Sequence, residues 1–266
     1  MSFVSDSFHL FVRWMKKLVR NPILIFFSLF QPVIFLVLFT QLFSKFGSLL
    51  GPGVSYTVFA TAGIVLQNAF SSAFQSGTAV VDDIRSGFLT KILATPVNRS
   101  AILFGRILSD VFRVVAQTVI ILALAFPLGV FPETGFLGYL VVIFTVAFFG
   151  LAWSGISLAL GLKTKSAETV FGIAGFLTFP LLFMSTALVG QRAMPDWMQT
   201  VSSYNPISFA VNAIRNVITG CLPDQISSHC TTGYDWSTIF QAYGVIALIG
   251  VLTLGATLYL FRKIVS

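Results

Sequence analysis

Charge is scarce in this sequence. Of its 266 residues only 9% are charged while 56% are hydrophobic, whereas a soluble domain carries roughly 25% charged residues. That shortage excludes a polar coat adequate for water. Histidine and cysteine are rarer still, with two of each. His9 and His229 both fall outside the apolar runs, so an intramembrane serine protease would lack its base, although Trp153-Ser154-Gly155 offers a serine. Zinc chemistry needs a cluster of His, Cys or carboxylate ligands, and the sequence has no such cluster. No G-x-x-x-x-G-K-[ST] phosphate loop occurs, so the chain does not hold ATP in that way. Carboxylates are almost missing from the apolar runs, where ion-coupled transporters keep them; Glu168 sits at the end of one. These absences point away from an enzyme, with no catalytic residue and no metal expected.

Long apolar runs are what the sequence has. Six can be read, at 22–43, 56–81, 102–130, 135–162, 170–189 and 238–261. Each is long enough to cross a hydrocarbon core of about 30 Å as a helix. Helix is forced, because an open strand edge cannot satisfy its backbone in lipid. The fold class expected is therefore an all-α membrane protein of six transmembrane helices, one transmembrane domain over 1–266. The net charge of +7 is spread in small groups between the runs, so it reads as orientation signal and lipid contact, with no nucleic acid.

With the N-terminus placed in the cytoplasm, thirteen of the sixteen Lys and Arg fall inside, and only Lys45, Arg192 and Arg215 fall outside. The positive-inside rule then predicts a multi-pass protein of the cell membrane with both termini cytoplasmic. Residues 1–21 read as an amphipathic helix. Val4, Phe8, Phe11, Met15 and Leu18 form one face, and Asp6, His9, Arg13, Lys16 and Arg20 the other. Trp14 suits the headgroup level. Such a helix reads as lying in the cytoplasmic interface; a cytosolic docking helix is the other reading. Asn21-Pro22 ends it.

The third run starts with charge, Arg106, Asp110 and Arg113 on one face. Either these residues are buried within a span, which is costly and functional, or the helix projects about two turns into the cytoplasm first. Between runs five and six lies the longest loop, 190–237, expected outside. It carries amphipathic pieces at Met194–Val201 and Ile207–Ile218 that suit short half-inserted helices, with Trp197 and Tyr204 as interface seekers. Cys221 and Cys230 both fall in it. On an oxidising face the pair suits a disulfide; two free thiols are the alternative.

Between the second and third runs, residues 82–101 stand out. Ile84, Phe88, Leu89, Ile92 and Leu93 form one side of a short amphipathic helix, Gly87 permits close backbone approach, and Thr95-Pro96 stops the helix. An apolar face exposed in the cytoplasm needs a cover, either membrane or a partner protein.

Here the sequence resembles the permeases of second-class ATP-binding-cassette exporters, a family that includes daunorubicin-resistance permeases and polysaccharide and lipid exporters. The resemblance is carried by acidic Asp83, by Arg85-x-Gly87-x-Leu89, by the Leu93–Pro96-Val97 stretch, by Arg99 and by Gly105-Arg106. Further on, Pro195-x-Trp197, Asn205-Pro206 and Ala213-x-Arg215 fit the family's outer-loop pattern, while Thr90-Lys91 stands where many members carry a glutamate. The resemblance implies that two such permeases, as homodimer or close paralogues, pair and dock on two ATPase subunits that bind ATP and magnesium. The chain itself would bind no cofactor. It also implies that Asp82, Asp83, Arg85, Gly87, Phe88, Leu89, Leu93, Pro96 and Arg99 couple the permease to the ATPase.

The second run carries Gln67, Ser71 and Gln75 on one stripe with Thr78, and Phe70 and Phe74 beside it. A polar stripe seals a helix–helix interface or lines a translocation pathway. The fifth run adds Phe171, Phe176, Phe179 and Phe183. A phenylalanine-rich, nearly uncharged interior suits a lipophilic or amphipathic cargo, a drug or a lipid. Glycan export, and a passive channel or membrane scaffold, are the competing readings.

Overall fold

The computed structural model describes residues 3–43, 56–220 and 234–265, apart from the side chains of Leu24, Arg99, Arg262, Ile264 and Val265. Every regular element among these residues is helical. Helix α1 (Phe3–Val19) turns at Asn21 into α2 (Pro22–Leu42). Helix α3 (Tyr56–Arg85) turns at Gly87 into the short α4 (Phe88–Leu93), and α5 (Arg99–Ala125) follows, closed by a 3-10 turn at Phe126–Leu128. Then come α6 (Phe136–Thr164), α7 (Ala167–Phe183), α8 (Asp196–Tyr204), α9 (Pro206–Thr219) and α10 (Trp236–Val265).

Five stretches are long and apolar enough to cross a membrane: Ile25–Leu42, Tyr56–Arg85, Ser100–Leu128, Phe136–Thr164 and Trp236–Phe261. The fifth expected run holds a shorter apolar helix, Ala167–Phe183. Over 170–189, expected as one run, the helix stops at Phe183 because other groups take over its end. Asn205 Nδ2 donates to the Leu181 carbonyl at 2.7 Å and to that of Met184 at 3.2 Å. The Ser185 hydroxyl takes the Leu182 carbonyl at 2.6 Å. Apolarity continues past Phe183, but the i→i+4 ladder does not.

Helix α3 is the centre of the bundle. Its crossing window is 78% buried, against 17% for α2 and 22% for α10. Small residues make this possible: lipid gives no hydrophobic drive between helices, so close van der Waals approach must hold them. At Gly77 a Cβ would collide with the Ser157 carbonyl of α6. The Ser157 hydroxyl accepts from the Gly77 N–H at 2.9 Å and donates to the Phe74 carbonyl at 2.7 Å. On the other side of α6, Thr253 and Thr257 of α10 donate to the Ala152 and Gly155 carbonyls at 2.8 and 2.7 Å.

The two ends of the bundle differ. At one, the Tyr56 hydroxyl donates to the Leu188 carbonyl at 3.2 Å, and Arg215 Nη2 to that of Thr186 at 2.7 Å. At the other, the basic end, Arg85 meets Glu168 and Lys17 meets Asp83. Helices α3 and α7 therefore run antiparallel. At the end away from Arg85, α9 is nearly all buried, and Asn205 caps it by accepting from the Ile207 N–H at 2.9 Å.

At the basic end, helix α1 packs on the bundle by a side other than the Val4, Phe8, Phe11, Met15 and Leu18 face. Its buried residues are Asp6, Ser7, Leu10 and Trp14, packed on α5 where Gly105 lets the Ser7 carbonyl come close. Val4 and Phe8 stay exposed. Trp14, expected at the headgroup level, is only 5% exposed. Arg106, Asp110 and Arg113 are buried, with α1 and α3 covering them. Lys45 and the Cys221–Cys230 pair lie outside the described residues.

Candidate functional site

The segment that turns α3 into α4 is held by backbone chemistry. Gly87 has φ +68°, a left-handed position that L side chains adopt only at a cost. It closes α3, the Gly87 N–H donating to the Ile84 carbonyl at 3.0 Å, and its own carbonyl starts α4 by accepting from Lys91 N–H at 3.1 Å. Asn98 then caps α5, accepting from the Ser100 N–H at 3.0 Å.

The apolar side of α4 is partly covered by the chain itself. Phe88, Leu89, Ile92 and Leu93 pack on a cluster built from Leu10, Trp14, Ile102, Leu103, Leu162 and Phe261. The chain itself covers part of this face and leaves its side chains half-buried. What points outward is Arg85, Ser86, Thr90, Lys91 and Pro96. Arg85 pairs with Glu168 at 3.2 Å, both side chains more than half exposed, so water screens the pair and it adds little to stability. Glu168 lies ahead of the apolar stretch of α7. Its own backbone N–H, the Ser166 hydroxyl and Arg85 pull its pKa down to about 2. Glu168 thus stays ionised at physiological pH.

Asp83, for which the resemblance implies a coupling role, is a joint within the chain. It is 4% exposed, accepting from Trp14 Nε1 at 3.0 Å and pairing with Lys17 at 3.2 Å. It fastens α1 to α3. Arg13 lies over the Phe88 ring at 3.1 Å, so α1, α3 and α4 are joined at one corner. Asp82, by contrast, is exposed, and the Arg99 side chain lies outside the described residues.

Above this corner lies a cavity of about 590 Å³ between α2, α3 and α7. Gln67, Ser71, Gln75 and Thr78 of α3 line it, with Gln31 and Phe35 of α2 facing them and Phe171 of α7 at the side. The polar stripe therefore borders space, while Gln75 also accepts from Arg113 Nη1 of α5 at 3.3 Å. The aromatic neighbours do not follow it. Phe70 and Phe74 are core residues, at 1% and 4% exposure, with the Phe70 ring 5.4 Å from that of Trp153. Phe176, Phe179 and Phe183 are exposed on the outer side of α7 and do not line the cavity.

Sequence reading missed the second polar layer, one residue along α3. Ser72 donates to Gln117 Oε1 at 2.6 Å and Gln117 Nε2 donates to Ser28 at 2.9 Å, tying α2, α3 and α5 together. Asn68 and Gln117 are buried polar residues on apolar helices. That combination is itself a signal, since polar side chains inside a membrane bundle need partners.

A bundle of apolar helices with small residues at its contacts and a mixed polar–aromatic cavity defines a class, the multi-pass membrane permeases. The family can be stated as well. Residues 7–219 match the model of the ABC-2 type transporter family, and the chain belongs to it. It is 32% identical over 208 residues to a daunorubicin resistance ABC transporter permease protein of Streptomyces coeruleorubidus, covering 78% of this chain and 73% of that one. A Mycobacterium tuberculosis protein named as a doxorubicin resistance ABC transporter permease is 26% identical over 78% of this chain and 75% of its own. A transport permease of Pyropia yezoensis is 26% identical over 93% and 85%.

Proposed function

We propose that the chain is the transmembrane subunit of an ATP-driven exporter for lipophilic or amphipathic compounds, drugs or lipids. It pairs with a second permease, identical or closely related, and receives its power from two ATPase subunits that carry ATP and magnesium. The observation that carries this reading is the cavity, in a member of a transporter family whose relatives bear drug-resistance names. Its size falls within the roughly 300–1,000 Å³ of small-molecule sites, and its mixture of aromatic walls with convergent amides suits an amphiphile. The ATPase contact falls on the outward side of the α3–α4 turn, around Arg85, Lys91 and Pro96, because these residues are exposed while the apolar side is partly packed on the chain.

The reading includes six crossings. Helix α7, with 17 residues, spans about 26 Å at 1.5 Å per residue, a little short of the hydrocarbon core. The turn at 184–190, held by Asn205 and Arg215, completes it, and α8 and α9 cap that side. Both termini lie in the cytoplasm. A periplasm-active reporter fused after residue 266 gives no signal on this reading, while one inserted within 221–233 does. The reverse pattern would overturn the orientation.

Obstructing the cavity tests the pathway. Ser71 is half-buried at its wall, so Ser71→Trp fills space without adding charge. Efflux of a fluorescently labelled fatty acid is expected to fall at least about tenfold, a barrier of about 1.4 kcal/mol. Phe176→Trp, on the outward face, serves as control and keeps export. Undiminished efflux in Ser71→Trp would put the pathway elsewhere.

A further inference from the structure

The charge beneath the cavity does not balance. Arg106, Asp110 and Arg113 form a buried group of two cations and one carboxylate, each less than a tenth exposed. Asp110 serves both arginines, Arg106 Nε at 3.1 Å and Arg113 Nη2 at 3.4 Å. Among the described residues no other carboxylate makes up the difference. Asp83 is engaged by Trp14 and Lys17, and Asp6 accepts from the Asn98 N–H. Asp82 is an exposed residue that borders the same chambers without an ion pair to either arginine. One positive charge is left inside the protein, where an uncompensated charge is costly.

Arg113 is the cation that meets the cavity. It lines the 590 Å³ chamber and a smaller one of about 180 Å³ that adjoins it, both also bordered by Asn21, Ala79 and Asp82. Its protein partners besides Asp110 are neutral acceptors, the Gln75 amide oxygen at 3.3 Å and the Ser72 carbonyl at 2.7 Å. Its Nε–H has no partner among the described residues, although it is buried. A guanidinium with a donor to spare, beside an open chamber, matches the planar acceptor geometry of a carboxylate or phosphate.

We propose that Arg113 reads the headgroup of the compound this cavity takes, and that the compound is an amphiphile with an acidic group. The acidic end sits against Arg113, with Gln75 beside it. The apolar body lies along Phe27, Phe35 and Phe171. This deepens the reading of the cavity as the cargo site and rests on it. The acidic amphiphile is either the transported compound or a membrane lipid resident in the site; the chemistry at Arg113 is the same.

The test uses the complete complex with its ATPase subunits, photolabelled with diazirine-bearing palmitic acid and, in parallel, its methyl ester. The acid is expected to label peptides from 22–42 and 56–85 saturably, about tenfold more efficiently than the ester, the worth of one charge-assisted hydrogen bond. Arg113→Gln removes that preference while ester labelling persists, and Arg113→Lys retains part of it. Stimulation of ATP hydrolysis by the acid identifies cargo; saturable labelling without stimulation identifies a resident lipid. Equal labelling by acid and ester in the unmodified protein overturns the headgroup assignment and leaves the cavity as an amphiphile site. No saturable labelling of these helices by either probe overturns the cavity reading itself. The acid–ester comparison decides even if the Arg113→Gln protein fails to assemble.

Discussion

Replacing Gly87 by tryptophan is expected to abolish export while leaving a protein that inserts and folds. Two effects separate at this position. The first is backbone: φ of +68° costs an ordinary L residue about 1–2 kcal/mol, a loss that the surrounding helices absorb. The second is surface. A Cβ at Gly87 meets nothing within 4 Å, so a side chain there leaves this protein's packing alone and stands out from the α3–α4 turn. An indole in that place holds any docked subunit away from Arg85, Lys91 and Pro96. Gly87→Asn is the control, because asparagine tolerates the left-handed conformation and is small. Export is expected to survive in Gly87→Asn and to drop below detection in Gly87→Trp, with ATPase subunits lost on affinity purification or hydrolysing without transport. Equal loss in both variants would make the backbone turn, not the surface, responsible. Normal export in both would move the ATPase contact to another part of the chain.

Where sequence and structure agree, the reason is that the membrane imposes few choices. A run of apolar residues too long for a loop must be helix, and Gly87 and Thr95-Pro96 mark the ends of α3 and α4 through φ and the missing N–H. The polar stripe Gln67, Ser71, Gln75 was visible for the same reason: four-residue spacing puts polar groups on one line of an otherwise apolar helix. That line borders the cavity. What the stripe faced was not legible, since an empty chamber and a helix partner leave the same pattern.

Facing was harder to read wherever a helix has more than one credible face. In α1 the heptad-like series Val4, Phe8, Phe11, Met15, Leu18 competes with a second series a fraction of a turn away, Asp6, Leu10, Trp14. The second is buried, because Gly105 lets α1 approach and because Asp6 and Trp14 find partners in the Asn98 N–H and Asp83. Periodicity cannot weigh partners that lie on other helices. In α7 the problem is the reverse: it is apolar all round, so Phe176, Phe179 and Phe183 carried no facing information, and they lie outside the chamber. Buried charge misleads most. Polarity alone places Asp83 and Arg113 at the surface, but their polar groups are engaged inside, at the joints between helices.

Those joints set the second large effect, expected at Asp110. Asp110→Ala removes the carboxylate between two buried arginines, leaving Arg106 and Arg113 facing each other in a site less than a tenth exposed. Breaking one side of a buried ion pair costs about 3–5 kcal/mol, comparable to the total stability margin of many domains. The loss falls on the packing of α1 against α5, because Arg106 also lies 5.7 Å from the Trp14 ring. The purified variant is expected to lose its monodisperse peak on heating well before the unmodified protein, or to be degraded before purification. Arg85→Ala, which breaks only the exposed pair with Glu168, is expected to melt like the parent. The decisive comparison is the double change Arg106→Met, Asp110→Leu. It removes one cation together with the carboxylate, so the net charge of the group is unchanged. Although Arg113 loses Asp110, it keeps its bonds to Gln75 and Ser72, so part of the stability returns. If Asp110→Ala and the double variant melt alike, the carboxylate acts through packing and not charge. If Asp110→Ala melts like the parent, the buried ion group is not what holds α1 to the bundle.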